Sequence, residues 1–204
     1  MTERLTMSQV STTTSSPRRR VTMTWVVWIT AVIAYGFAVM QRTSLGFMGL
    51  TAAAHFNAPA SVVATFMVLQ LAVYAVLQIP AGITVDRLGS RVVITAGSIV
   101  MTVGQVVMAL TGSVGGAVLA RVLVGCGDAF IFGAAIRLVP AWFPPKQTPL
   151  VTQLIGLLGQ FGQVVSAVGL VAMVNSSGWR STYLLAAGGA AVAAALAFLL
   201  IRDA

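Results

Sequence analysis

Of the 204 residues, 58% are apolar and only 8% are charged, with a mean hydropathy of +0.94, which excludes a soluble globule because too little polar surface remains to cover one. Twelve Lys and Arg against four Asp and Glu give a formal charge of +8. That balance would suggest nucleic acid in a soluble chain, but here the basic residues sit mainly in short segments beside apolar runs, where they set membrane topology.

Each membrane-crossing helix takes about 20 mostly apolar residues, because the hydrocarbon core is about 30 Å thick. Six spans fit in this length, so the chain is expected to be an all-α, multi-pass membrane protein. Residues 1–21 are rich in Ser and Thr, are interrupted by Pro17 and carry Arg18, Arg19 and Arg20; this composition predicts a disordered basic tail. Arginines before an apolar run also mark export signals, but a signal's apolar region is only about 7–15 residues long. The run from Thr24 onward is much longer, which favours an uncleaved first span.

The first span is expected over residues 24–50, with Trp25 and Trp28 at headgroup depth. An outer turn from His55 to Ser61, containing Pro59, leads to a second span over 61–84. A hinge over 85–91 joins it to a third span at 92–110, and the glycines from Gly112 to Gly116 make a short outer turn before a fourth at 117–139. A proline-rich link, 140–149, precedes a fifth span at 150–174, and the turn Asn175 to Arg180 precedes a sixth at 181–201. In this layout Arg4, Arg18, Arg19, Arg20, Arg87, Arg91, Lys146 and Arg202 fall inside and only Arg180 outside. The positive-inside bias therefore predicts a plasma (inner) membrane protein with both termini cytoplasmic.

The segment Gly82-Ile-Thr-Val-Asp86-Arg87-Leu-Gly89-Ser-Arg91, after the second span, closely resembles the loop 2–3 signature of the major facilitator superfamily. Arg121-x-x-x-Gly125 is similar to the family's helix-4 arginine motif, with Val124 where many drug antiporters have a polar residue. Gly178-Trp179-Arg180, with Tyr183, resembles the common start of helix 6. The fifth span lacks the Gly-Pro pair of drug antiporters, which argues against multidrug export. The resemblance implies a domain over residues 22–204 that forms one six-helix half of a transporter, the N-terminal one, built from two inverted three-helix repeats, with substrate bound near the midplane between two such halves. No repeat is visible between the first and last three spans.

At the hinge, Gly82 and Gly89 would permit close backbone approach and a positive φ. The resemblance implies that Asp86, with Arg87 and Arg91, acts as a gate or conformational switch by meeting a helix N-terminus of the opposite half; the alternative is a solvated loop whose charges only set topology. Arg137 lies at similar depth and could join Asp86 or snorkel to the headgroups. Within the spans Arg42, Arg121 and Asp128 stand out, since an ionisable side chain is costly in lipid and usually faces a cavity. Helices 1 and 4 line the central cavity in the resembled family, which makes these residues, with Tyr35 one face-repeat before Arg42, candidates for the substrate or proton pathway. Two arginines suit a small anionic solute and Asp128 a proton; the alternative for Asp128 is a structural ion pair with one arginine, and for Tyr35 simple packing.

Gly156, Gly159 and Gly162, with Gln160 and Gln163, predict a close packing face on the fifth span, with amides bonding across it. Cys126 reads as a small buried residue and His55 as a surface one. No metal cluster, nucleotide-binding loop or nucleophile–base pair is present, so neither a cofactor, nor nucleic acid, nor an enzymatic activity is expected. The function expected is secondary transport of a small solute by alternating access; the alternative is a half-transporter that acts only as a subunit. The expected partners are the bilayer, the solute, and a second six-helix half or a second copy of the chain.

Overall fold

The computed structural model describes residues 17–203, with side chains from Thr22 onward. Residues 1–16 of the expected tail lie outside the described residues, while 17–21 already belong to the first helix. In chain order the elements are α1 (Pro17–Phe47), a short α2 (Gly49–His55), α3 (Ala60–Leu110), α4 (Val114–Trp142), α5 (Thr148–Gly159), α6 (Phe161–Val164), a π-helical segment (Val165–Leu170) and α7 (Val171–Leu200). There is no strand among the described residues. Four continuous helical stretches are long and apolar enough to cross a membrane: Thr22–Phe47, Ala60–Leu110, Val114–Trp142 and Thr148–Leu200.

Two of these stretches contain 51 and 53 residues, more than twice the roughly 20 that a bilayer needs, and each is interrupted at one glycine. Gly89 has φ 80° and ψ 160°, and Gly178 has φ 80° and ψ 173°, a region that glycine enters without the Cβ clash other residues meet. Gly89 divides α3 into a first arm, 60–88, and a second arm, 90–110. Both arms rest on the same level of α4: a Cβ at Gly125 would lie 2.6 Å from the Gln70 carbonyl oxygen of the first arm, and one at Gly97 of the second arm 2.7 Å from the Gly127 carbonyl. The chain therefore folds back at a single residue.

This differs from the expected connections. Residues 85–88 stay helical, and so do residues 175–177, because one positive-φ glycine makes each reversal without a loop. Gly82 does not provide a close approach; it is exposed, and nothing stands within 4 Å of where its Cβ would be. Pro140 does not end α4, which continues to Trp142, although its ring removes one backbone bond and crowds the carbonyl four residues before it. The two breaks share the pattern Gly-x-Arg (Gly89-Ser90-Arg91 and Gly178-Trp179-Arg180), the internal correspondence that the spans themselves do not display.

Glycine and alanine let the helices approach closely where lipid supplies no hydrophobic drive between them. A Cβ at Gly162 would run into the Gly36 carbonyl of α1, and one at Gly159 into the Tyr35 ring, which bears out the close packing face for these two glycines, whereas nothing stands within 4 Å of where a Cβ at Gly156 would be. Gln160 and Gln163, however, are exposed and do not serve that face. Two apolar clusters result. α1 contributes to one through Val39 and to the other from Met40, while α4 contributes to the second through Ala120 and to the first from Val124. The buried polar residues Gln41, Ser44, Arg121 and Asp128 cluster around this boundary.

The α3–α4 contact should be intolerant of volume. Gly127→Val, whose Cβ would meet the Gly97 carbonyl and the Met101 chain, is expected to lower the melting temperature in detergent by an overpacking cost of about 1–3 kcal/mol. Gly133→Ala, where space is open, should be neutral or slightly stabilising by helix propensity.

Candidate functional site

Arg42 on α1 and Asp128 on α4 meet across the helix interface: Arg42 Nη1 lies 3.2 Å from Asp128 Oδ2. Asp128 is fully buried, whereas the Arg42 side chain keeps 19% of its exposure. Its guanidinium also lies over the Tyr74 ring, 5.4 Å from the centroid, a favourable cation–π placement. The second carboxylate oxygen, Asp128 Oδ1, is buried without a hydrogen-bond partner. Arg42 opens onto a cavity of about 420 Å³ lined also by Thr43, Gly46, Met67, Gln70 and Gln163, within the range of about 300–1,000 Å³ usual for small-ligand sites.

Arg121 stands apart from this pair. The seven-residue spacing places it on the same side of α4 as Asp128, but two turns away, and it is completely buried. Its Nη1 donates to the Gln41 carbonyl (3.3 Å), Ser44 Oγ (3.5 Å) and Gln70 Oε1 (3.3 Å); its Nη2 donates to Ser44 Oγ and the Tyr183 hydroxyl, each at 3.4 Å. No carboxylate bonds to it among the described residues. Asp128 thus pairs with Arg42 and not with Arg121, because α1 brings Arg42 level with it. Tyr35 is buried, with its ring 4.8 Å from that of Phe132 and against Gly159, and its side chain also interacts with Arg42.

At the other grouping, Asp86 forms an ion pair with Arg137 of α4, and both side chains are more than half exposed. Arg87 is exposed. Arg91 donates through Nε to the Phe198 carbonyl at 2.7 Å and lies over the Phe198 ring. The backbone N–H groups of Ser90 and Arg91, freed by the break at Gly89, donate to Asp203 Oδ1 at 2.7 and 3.2 Å. Asp203 therefore caps the second arm of α3, where the helix dipole favours an anion.

The residues that sequence reasoning missed are Asp203, Tyr74, Gln70, Gln41 and Ser44, while Gln163, expected on a packing face, lines the cavity instead. For Asp203 a signal existed: the chain has only four acidic residues, and the three within the described residues each hold a defined partner. The others are neutral and became visible only through the arginines they surround.

Residues 25–204 match the family model described as Major Facilitator Superfamily. Over 175 residues the chain is 24% identical to the probable L-galactonate transporter of Escherichia coli (strain K12), covering 86% of this chain and 38% of that one. Over 114 residues it is 25% identical to the hexuronate transporter of Escherichia coli (strain K12), covering 56% and 26% respectively. A crystal structure of a bacterial homolog of the human lysosomal transporter Spinster, inward-facing and occupied, aligns with a TM-score of 0.71 at 19% identity, over 93% of this chain and 45% of that one. The likeness is one of fold, and the chain spans less than half the length of each of these proteins.

Breaking the Arg42–Asp128 pair from one side should cost more than removing it whole. Arg42→Gln is expected to destabilise by about 3 kcal/mol, the low end for a buried pair because Arg42 retains exposure, by stranding a buried carboxylate. Adding Asp128→Asn should restore most of the loss. Thermal unfolding of the two single variants and the double variant checks this, and additive losses would show the two groups to be uncoupled.

Proposed function

Because the chain belongs to the Major Facilitator Superfamily, we propose that it serves secondary transport of a small organic anion by alternating access, coupled to protons. Its two long stretches each cross the membrane twice, giving six spans as two three-helix repeats that correspond at the Gly-x-Arg breaks. The observation that carries the proposal is the Arg42–Asp128 pair at the cavity edge: one buried carboxylate with an unused oxygen, and one cation that reaches both it and the open space. The relatives named for L-galactonate and hexuronate transport supply the substrate class, since both named solutes are sugar carboxylates.

The chemistry follows from charge. A guanidinium presents several donors in a planar fork and binds a carboxylate bidentately. When the substrate carboxylate reaches Arg42, two negative groups share one cation in a low-dielectric site, and a proton on Asp128 relieves the repulsion. Substrate and proton then favour each other's binding, which is the reciprocal coupling a symporter needs. The hinge acts at one end of the bundle. Asp86, held by Arg137 yet more than half exposed, is free to meet a helix N-terminus of a facing half and bias the gate.

A partner covers the cavity side. Gln160 and Gln163 are exposed on a helix whose neighbours Leu157, Phe161, Val164 and Val165 are also exposed, and amides at membrane depth belong against protein or water and not against lipid. A second six-helix half or a second copy of this chain meets that requirement; a purely structural subunit role is the second reading. Crosslinking in native membranes should give a species of about twelve helices, and an active, strictly monomeric chain would reject the partner.

For the coupled reading, Asp128→Asn in proteoliposomes carrying the assembled transporter should reduce proton-driven uphill uptake of a hexuronate by about tenfold or more while sparing counterflow, since only the proton step is lost. An unchanged response to the proton gradient sinks the coupling assignment.

A further inference from the structure

Gln70 has a side chain bonded at both ends. Its Oε1 accepts from Arg121 Nη1 at 3.3 Å, and its Nε2 donates to the Arg42 carbonyl at 3.4 Å. The residue is essentially fully buried, so neither bond has water as a ready substitute. Arg121 meanwhile donates to the carbonyl of the preceding residue, Gln41. Two successive carbonyls of α1, those of Gln41 and Arg42, are therefore held from outside the helix, one directly by Arg121 and one through the Gln70 amide.

The Arg121-x-x-x-Gly125 spacing acquires a physical meaning here. Residues four apart share a helix face, so Arg121 and Gly125 address the same segment of the first arm. Arg121 takes the Gln70 amide oxygen, and Gly125 leaves room for the Gln70 backbone, whose carbonyl would stand only 2.6 Å from a Cβ at that position. One turn further along the first arm, Tyr74 lies under the Arg42 guanidinium. The first arm thus touches Arg42 twice, at its carbonyl through Gln70 and at its charge through Tyr74.

We infer that Gln70 is a positioning residue: its amide transmits the placement of buried Arg121 to the backbone of Arg42 and so sets where the Arg42 charge stands in the cavity. The inference rests on the anion-site reading of that cavity, which makes the position of this charge matter, and it removes Arg121 from the substrate pathway. Arg121 has no exposure and touches no lining residue except Gln70 among its bonded partners. Its cation is used to order α1.

The test reads the Arg42 charge without needing a substrate. Gly46 lines the same cavity one turn beyond Arg42, and a Cβ there meets only Met67 Sδ at 3.5 Å, so Gly46→Cys is sterically acceptable. It is placed in a Cys126→Ser background, since Cys126 is the single native thiol. Labelling rates of the purified full chain with an anionic and a cationic methanethiosulfonate reagent are then compared. With Arg42 in place the anionic reagent should be favoured by about fivefold or more, the local effect of one nearby unit charge. With each rate normalised to that reagent's reaction with a free thiol, Arg42→Gln, which leaves the Asp128 carboxylate unpaired, should abolish that preference or reverse it.

Gln70→Met, which keeps the volume and removes both bonds, should at least halve the preference, and it should do so at a melting temperature where the protein remains folded. Gln70→Asn, an amide one methylene too short to reach both partners, should shift the ratio in the same direction and serves if Gln70→Met fails to fold. A ratio unchanged in both Gln70 variants while Arg42→Gln collapses it overturns the positioning role alone. A ratio that Arg42→Gln itself leaves unchanged overturns both this inference and the anion-site reading.

Discussion

A guanidinium with no exposure and, among the described residues, no carboxylate partner is the constraint around which this helical bundle is arranged. Taking Arg121 out of water costs several kcal/mol, and the cost is offset by neutral oxygens that three other elements bring to it: Gln41 and Ser44 from α1, Gln70 from the first arm of α3, and Tyr183 from α7. A fork of fixed donors can be satisfied only if those elements are in register with α4. Lysine, a flexible point charge, could not impose the same geometry. The boundary between the two apolar clusters falls at this level of α1 and α4, so the polar layer and the packing on either side of it locate one another.

The charges that could do work are arranged differently. Asp128 is fully buried with one oxygen left without a partner, and Arg42 keeps part of its exposure. Asp86 and Arg137 are more than half exposed. Arg121, by contrast, places both terminal nitrogens on oxygens brought by three other elements and leaves only its Nε without a partner. At the far side of the bundle Asp203 does for the second arm of α3 what a capping residue does for any helix start. It occupies the N–H groups of Ser90 and Arg91 and leaves Asp86, on the preceding turn, uncommitted to its own helix.

How much of this could be read from the residues depends on whether the signal was local. The reversal at Gly89 was legible because charge and glycine interrupt an apolar run, and only its extent was overestimated: Val85 to Leu88 remain helical since nothing but the positive φ at Gly89 is needed to turn the chain. Asn175 to Ser177 carry turn-forming side chains, yet they stay helical, as exposed residues, up to the positive φ at Gly178. Arg42, Arg121 and Asp128 were identified as a group because charge is rare in such spans. Their pairing was not legible, because helical spacing shows which residues share a face and not which helices are neighbours; Arg42 and Asp128 are 86 residues apart. Of the neutral partners of Arg121 only Tyr183 stood in a motif, while Gln41, Ser44 and Gln70 gave no sequence signal, and the amides of Gln160 and Gln163 gave a misleading one, since the close packing on that helix comes from Gly159 and Gly162.

Arg42 as the anion ligand and Arg121 as the scaffold are distinguished most directly by paired Lys substitutions, with binding of a radiolabelled hexuronate and thermal unfolding measured on the same preparations. Arg42→Lys keeps a cation for Asp128 but loses the bidentate fork, and is expected to weaken binding by about tenfold with little change in melting. Arg121→Lys, which cannot reach four acceptors in three elements, is expected to lower the melting temperature clearly, by an amount corresponding to about 2 kcal/mol or more. Normal binding by Arg42→Lys, or weakened binding by an Arg121→Lys protein of undiminished stability, would contradict the division of roles between the two arginines.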